Sequence, residues 1–325
     1  MKTITLEEHF ASPHYMDGPG KPMKEQLSKL EGNPMQRVPE QLVDLGEKRI
    51  AEMDAAGITM QVLSLNAPGV EQMDANEAVS MAKETNDFLL SGINNHPERF
   101  AGFAALPMAN AKAAVAELER CMKETGFKGA VINGHIRGKY LDDQSFWPVL
   151  ECAEALNAPI YLHPTMPPAQ VQEAYYSGFS PMVSNMLAMA GWGWHIETAV
   201  HIIRLVLGGT FDRFPNLQFI IGHMGEGLPF MMERMNKVLR PEVTKLQRSM
   251  NEYLRENVYY TFSGFNYIQN FINLLMEVGT DRIMFSADYP YAPMKEATTF
   301  LEQLPVSSKD RERIAYGNAT TLLQL

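Results

Sequence analysis

Ile4-Thr5-Leu6-Glu7-Glu8-His9-Phe10, near the start of the chain, places a carboxylate and an imidazole two positions apart at the end of a β-prone run. Side chains alternate along a strand, so Glu7 and His9 are expected to point the same way. Aimed together, they can share one divalent cation. Alone, such a pair reads as a solvated strand end. Its weight comes from what the rest of the chain repeats.

Short apolar runs alternate with longer amphipathic ones from end to end. The runs at 4–9, 58–65, 102–106, 128–133, 159–163, 217–222, 257–262 and 282–287 predict strands, each short, apolar and bounded by turn residues. The stretches 43–56, 77–95, 111–124, 146–156, 196–207, 230–239, 267–277 and 295–303 predict helices. This alternation implies parallel βαβ units, and eight of them imply an α/β fold of the (β/α)₈ TIM-barrel type. The expected organisation is one barrel domain over residues 1–325. Pocket-forming loops are expected at about 11–40 and 165–194, leaving strand ends where barrel enzymes build their sites. The second loop carries Tyr175, Tyr176, Phe179, Trp192 and Trp194, which suits a pocket wall.

Of 325 residues, 46% are apolar, enough for a large core. The net charge is −10 and no basic run could track phosphates, which argues against a nucleic-acid partner. Cys121 and Cys152 fall in no metal or redox spacing. The first residues lack the apolar stretch of a signal peptide, and no run is long enough to span a membrane. A cytoplasmic protein without a membrane partner is the expectation.

The candidate chemistry sits at strand ends. Strand one ends in Glu7 and His9, the fifth in Tyr161-Leu162-His163, the sixth in Gly222-His223 with Glu226 following, and the eighth in Ala287-Asp288-Tyr289. A barrel gathers these ends around one mouth. Glu7, His9, His163 and Asp288 offer two nitrogens and two carboxylates, a set suited to Zn²⁺ or Mn²⁺. The fourth strand has only Lys128, at its start, so no bridging carbamylated lysine is available and one metal ion is expected. His223 has the best case for acid–base work, with Glu226 orienting it or itself held by Arg234. His195 and His201 read as packing or surface residues.

At this point the residues resemble a known family. Leu6-Glu7-Glu8-His9-Phe10, Ser64-Leu65-Asn66-Ala67-Pro68, Phe103-Ala104-Ala105-Leu106-Pro107 and Gly126-Phe127-Lys128-Gly129-Ala130 are similar to strand-end motifs of the amidohydrolase superfamily. More narrowly they resemble its metal-dependent, non-oxidative hydroxybenzoate decarboxylases, related to aminocarboxymuconate semialdehyde decarboxylase. Tyr161-Leu162-His163-Pro164, the run Gly222-His223-Met224-Gly225-Glu226-Gly227-Leu228-Pro229 and Ser286-Ala287-Asp288-Tyr289-Pro290 extend the match. Glu-x-His at the first strand resembles the branch acting on γ-resorcylate and 2,3-dihydroxybenzoate. The resemblance implies one Zn²⁺ or Mn²⁺ at Glu7, His9, His163 and Asp288, with His223 and Glu226 beside it. It also implies a small aromatic carboxylic acid as substrate and a homodimer or homotetramer.

On this reading an ortho-hydroxybenzoic acid loses CO₂ to leave a phenol. Asp288 supplies the proton and His223, oriented by Glu226, assists. Phe10, Trp192, Trp194, Arg234 and Tyr289 are the expected substrate contacts. The alternative is metal-dependent hydrolysis of a lactone, an amide or a carbon–carbon bond, and a further one is a silent metal-binding barrel.

Overall fold

In the computed structural model, which describes residues 1–325, short strands pair in parallel and in chain order. They are β1 (Ile4–Phe10), β2 (Met60–Leu65), β3 (Phe100–Gly102), β4 (Ala104–Ala105), β5 (Ala130–Asn133), β6 (Ile160–His163), β7 (Phe219–Ile221), β8 (Val258–Thr261) and β9 (Ile283–Met284). β3 and β4 are halves of one wall position, split at Phe103, whose N–H crosses to the Leu63 carbonyl at 2.9 Å. At the seam Leu6 bridges Ser286, and its N–H donates to the Phe285 carbonyl at 3.1 Å. These bonds join last strand to first, and the sheet closes as a (β/α)₈ barrel.

Between the strands, and after the last of them, run α1 (Glu47–Ala56), α2 (Ala75–Asn95), α3 (Ala111–Lys123), α4 (Trp147–Ala155), α5 (Gly193–Leu207), α6 (Leu228–Val238), α7 (Ile268–Val278) and α8 (Met294–Gln303). Local chemistry sets their ends. Asp74 and Asn110 cap α2 and α3 through their side chains, and Gly57 closes α1 with a left-handed turn at φ 77°. Helices cover the outer face of the sheet, so the strands can be apolar on both sides, and every residue of β1 is buried. One continuous apolar core links barrel and helices.

The expected loops are more ordered than their composition suggests. Within 11–40, short helices form at Pro13–Asp17 and Lys21–Leu27, and another begins at Val38. Within 165–194 a helix spans Pro181–Ala188. Ser12 and Ser180 cap the helices that open on Pro13 and Pro181, where proline's fixed φ suits the first turn. No helix is long and apolar enough to cross a membrane.

Candidate active site

β1 is not regular to its end. Its register with β2 slips between Thr5 and Glu8, and Glu7 takes a φ of 59°. Such a bulge re-aims a side chain, and the Glu7 carboxylate is fully buried. Its Oε2 accepts from the Tyr161 and Ser263 hydroxyls, with Thr261 3.5 Å away. Gly222 makes room for it: a Cβ there would run into Glu7 Oε2 and Ser263 Oγ. The other oxygen, Oε1, has no hydrogen-bond partner. It faces His163 Nε2 at 3.4 Å and His223 Nε2 at 3.7 Å. The His9 ring meets His163 edge-on at 4.8 Å, and His9 Nε2 lies 3.1 Å from Asp288 Oδ1.

A buried carboxylate oxygen without a donor is costly unless something positive fills the gap. Two ligands at about 2.1 Å from a tetrahedral ion stand about 3.4 Å apart, which matches the Glu7–His163 separation. Glu7, His9 and His163 form one buried ligand set, and Asp288 joins it through His9. The residues fit a divalent ion. Lys128 is far from them, its Nζ on the Gln324 carbonyl at 3.2 Å, so no bridging lysine enters the set.

Beside this set lies a second cluster. Glu226 Oε1 accepts from His223 Nδ1 at 2.7 Å and Oε2 from His195 Nδ1 at 2.6 Å. Both carboxylate oxygens are thus taken by imidazole N–H groups, which makes a hydrogen-bonded triad rather than a second metal cage. Burial disfavours charge on His223, but the facing Glu226 and Glu7 carboxylates outweigh it and hold its pKa up at about 10. Burial would raise the Glu226 carboxyl, yet His223 and His195 outweigh it and bring it down to about 2. Trp194 Nε1 donates to His195 Nε2 at 3.1 Å, tying the 165–194 segment to the triad. A cavity of about 260 Å³ opens onto His223, His195 and Glu226, walled by Trp192, Phe230 and Phe265.

The expected site residues divide into two groups. Glu7, His9, His163, Asp288, His223 and Glu226 come together at the mouth, and Trp192 and Trp194 stand at the cavity or next to it. Phe10 does not: it is fully buried in the core, stacked on Phe88 at 6.4 Å. It follows His9 in the strand and so points to the opposite face. Tyr289 likewise turns away from Asp288, to lie 4.6 Å under the Arg49 guanidinium. Arg234 is exposed on α6 and does not hold Glu226, whose oxygens are already occupied.

Several residues at the site escaped the sequence reading. His195 was expected to be packing or surface, yet it completes the triad. Its signal was helical spacing: His195, Ala199, Ile202 and Val206 form one buried stripe of α5 facing the barrel. Tyr161 on β6 and Ser263, just past the end of β8, anchor Glu7 from the other side of the barrel. Phe265 packs edge-on to His195 and His223 at 5.2 and 5.3 Å, and Tyr291 meets His9 at 5.5 Å.

The chain is similar to known proteins over nearly its whole length. A family model described as amidohydrolase matches residues 38–325. A gamma-resorcylate decarboxylase from Polaromonas sp. is 38% identical over 99% of this chain and 98% of its own length. One from Rhizobium sp. is 35% identical over the same shares. A crystal structure of 2,6-dihydroxybenzoate decarboxylase complexed with 2,6-dihydroxybenzoate superposes with a TM-score of 0.90 at 36% identity, covering 100% of both chains. A Polaromonas dihydroxybenzoic acid decarboxylase with bound manganese and 2-nitroresorcinol matches with a TM-score of 0.90 at 37% identity, over 100% of this chain and 97% of that one.

Proposed function

This chain belongs to the amidohydrolase family, and from that premise we propose that Glu7, His9, His163 and Asp288 hold one divalent ion, Zn²⁺ or Mn²⁺, for the decarboxylation of an ortho-hydroxybenzoic acid. The enzyme is a carboxy-lyase acting without an oxidant, releasing CO₂ and a phenol. The single observation that carries the site assignment is the buried, unpartnered Glu7 Oε1 facing two imidazoles. The full-length likeness to carboxy-lyases displaces the hydrolytic alternative.

When bound, the ion supplies Lewis acidity and a template for the substrate's carboxylate and ortho oxygen. Asp288 takes the proton released as the ortho hydroxyl ionises and passes it to the ring carbon bearing the carboxylate. The carbon–carbon bond then breaks, CO₂ leaves, the bonding pair restores the aromatic ring, and the resulting phenolate takes up one proton from water to leave as the phenol. His223, held through Nδ1 by Glu226, turns its other ring nitrogen toward the metal set and donates to a substrate oxygen. His195 holds the far side of Glu226 and so fixes the direction of the His223 ring. Trp192 and Phe265 wall the cavity in which the ring lies.

The 1–325 chain acts as a single barrel unit in this reading, with the 165–194 segment as pocket wall. It assembles as a homodimer or homotetramer. Phe230 and Met231 on α6, and Ile268, Ile272 and Met276 on the neighbouring α7, are large exposed apolar residues whose burial a second copy would supply. The two unpaired cysteines suit the cytoplasm.

The test is CO₂ release from a panel of ortho-hydroxybenzoic acids, including 2,6- and 2,3-dihydroxybenzoate. Turnover is expected with at least one, abolished by a chelator and restored by Mn²⁺ or Zn²⁺. Fully metal-loaded protein that releases no CO₂ from any of them would overturn the reading.

A further inference from the structure

Glu8 lies between two residues of the metal set, yet neither its side chain nor its partners belong to the reaction as described. It is fully buried. Its Oε1 accepts from the Ala287 N–H at 2.8 Å, and its Oε2 from the Tyr289 N–H at 3.3 Å. These two amides flank Asp288, which sits at φ 70°, a conformation a non-glycine residue keeps only when its surroundings hold it there.

The same carboxylate continues into a ring of contacts. Glu8 Oε2 accepts from Gln61 Nε2 at 3.2 Å, and Gln61 Oε1 accepts from Arg49 Nε at 2.8 Å. Arg49, also fully buried, donates through Nη2 to the His9 carbonyl at 2.8 Å, while the His9 N–H donates to the Tyr289 carbonyl at 2.8 Å. The Arg49 guanidinium also lies 4.6 Å over the Tyr289 ring. The ring therefore begins at the backbone of His9 and returns to it by way of the residues on either side of Asp288. Behind it stand Oδ1 of Asp288 and Nε2 of His9, 3.1 Å apart.

We propose that Glu8, braced by Gln61 and Arg49, is a positioning residue that aims the Asp288 carboxyl at the ring carbon. This deepens the proposed function and rests on its assignment of Asp288 as proton donor. Glu8 touches no substrate; it acts by fixing the backbone from which Asp288 projects. A buried carboxyl, amide and guanidinium joined in one ring of hydrogen bonds are a large outlay for fold stability alone, since apolar residues of similar size could fill the space. Its geometric product is the fixed angle between two side chains from opposite ends of the chain.

The experiment compares wild type, Glu8→Gln and Asp288→Asn, each loaded with Mn²⁺, reading bound metal, KM, kcat per bound metal and the solvent deuterium isotope effect on kcat. Glu8→Gln keeps the side chain's size but turns an amide group toward one of the backbone N–H donors. Its kcat per bound metal is expected to fall about 10- to 100-fold, the usual loss when an outer partner of a site is removed. KM and metal content are expected to stay near wild type, and the isotope effect to rise as proton transfer becomes slower. A purely structural role would lower metal content and melting temperature together and leave kcat per bound metal unchanged, and that result overturns the proposal. If Glu8→Gln does not fold, Gln61→Met, which cuts the ring on the far side of Glu8, is read the same way. Should Asp288→Asn keep turnover, the donor assignment fails. Should Asp288→Asn be inactive while the Glu8 and Gln61 variants match wild type, only the positioning proposal fails.

Discussion

At the mouth of the barrel Glu7, His223, Met224, Glu226, Ser263 and Asp288 all hold positive φ, and the charged groups among them crowd together. One residue before Ser263, Phe262 faces the opposite way, into a layer where Phe271, Phe285 and Phe300 lie with ring centroids 5.5 to 6.1 Å from it. That layer holds apolar rings in edge-on contacts. Each positive-φ residue at the mouth costs roughly 1 kcal/mol or more, and a buried charge is tolerated only with a partner. The aromatic layer shows the opposite economy, since its burial stabilises the fold. Strand alternation lets the two coexist on β8 and just beyond it: one side chain supports Glu7 and its neighbour packs under the helices.

The sharpest way to break this contrast is at the mouth. Glu7→Gln should abolish metal retention and lower turnover about 10³-fold or more, with little change in the melting temperature of metal-free protein. Elemental analysis and a CO₂ assay check both; a variant that keeps its metal would erase the distinction. His195→Phe leaves Glu226 Oε2 without a donor and frees the His223 ring. A fall in kcat of about 10- to 100-fold with metal retained is expected, measured as kcat per bound metal.

The converse test lies in the aromatic layer. Phe271→Ala should cost about 3–5 kcal/mol of stability through the cavity it leaves, while kcat per folded, metal-loaded molecule stays unchanged. Denaturant unfolding beside steady-state kinetics separates the two readouts.

A smaller effect belongs to His201, buried on α5. Burial depresses the His201 pKa to about 3, and its Nε2 accepts the Leu141 N–H at 2.8 Å. The unfolded chain binds this proton near pH 6.5 and the folded one only near 3, so between those values the unfolded state holds more protons. The stability contribution is therefore full above pH 6.5 and is lost as pH falls toward 3, at about 1.4 kcal/mol per pH unit for one proton. His201→Gln should flatten that part of the stability–pH curve. An unchanged slope would show that His201 is already protonated in the fold.

Much of this was legible before any coordinates. Strand and helix order followed from periodicity, and Glu7, His9, His163, Asp288, His223 and Glu226 were readable because each stands at or just past a strand end, which a barrel brings to one rim. What the sequence hid was direction. Phe10 and Tyr289 each follow a metal-set residue, and that adjacency places them on the other face. His195 was overlooked because it comes from a helix, and its buried stripe looks like ordinary packing. The Glu7 bulge leaves no mark in residue type, and neither does the Tyr161–Ser263 pair that anchors it.

The central claim is that one divalent ion sits among Glu7, His9, His163 and Asp288. Anomalous diffraction at the manganese edge from a crystal of Mn²⁺-loaded protein tests it most directly. A single peak is expected about 2.0–2.3 Å from Glu7 Oε1 and the Nε2 atoms of His9 and His163, with Asp288 at its open side. A peak on His195, His223 and Glu226 instead, or two peaks of equal height, would contradict it.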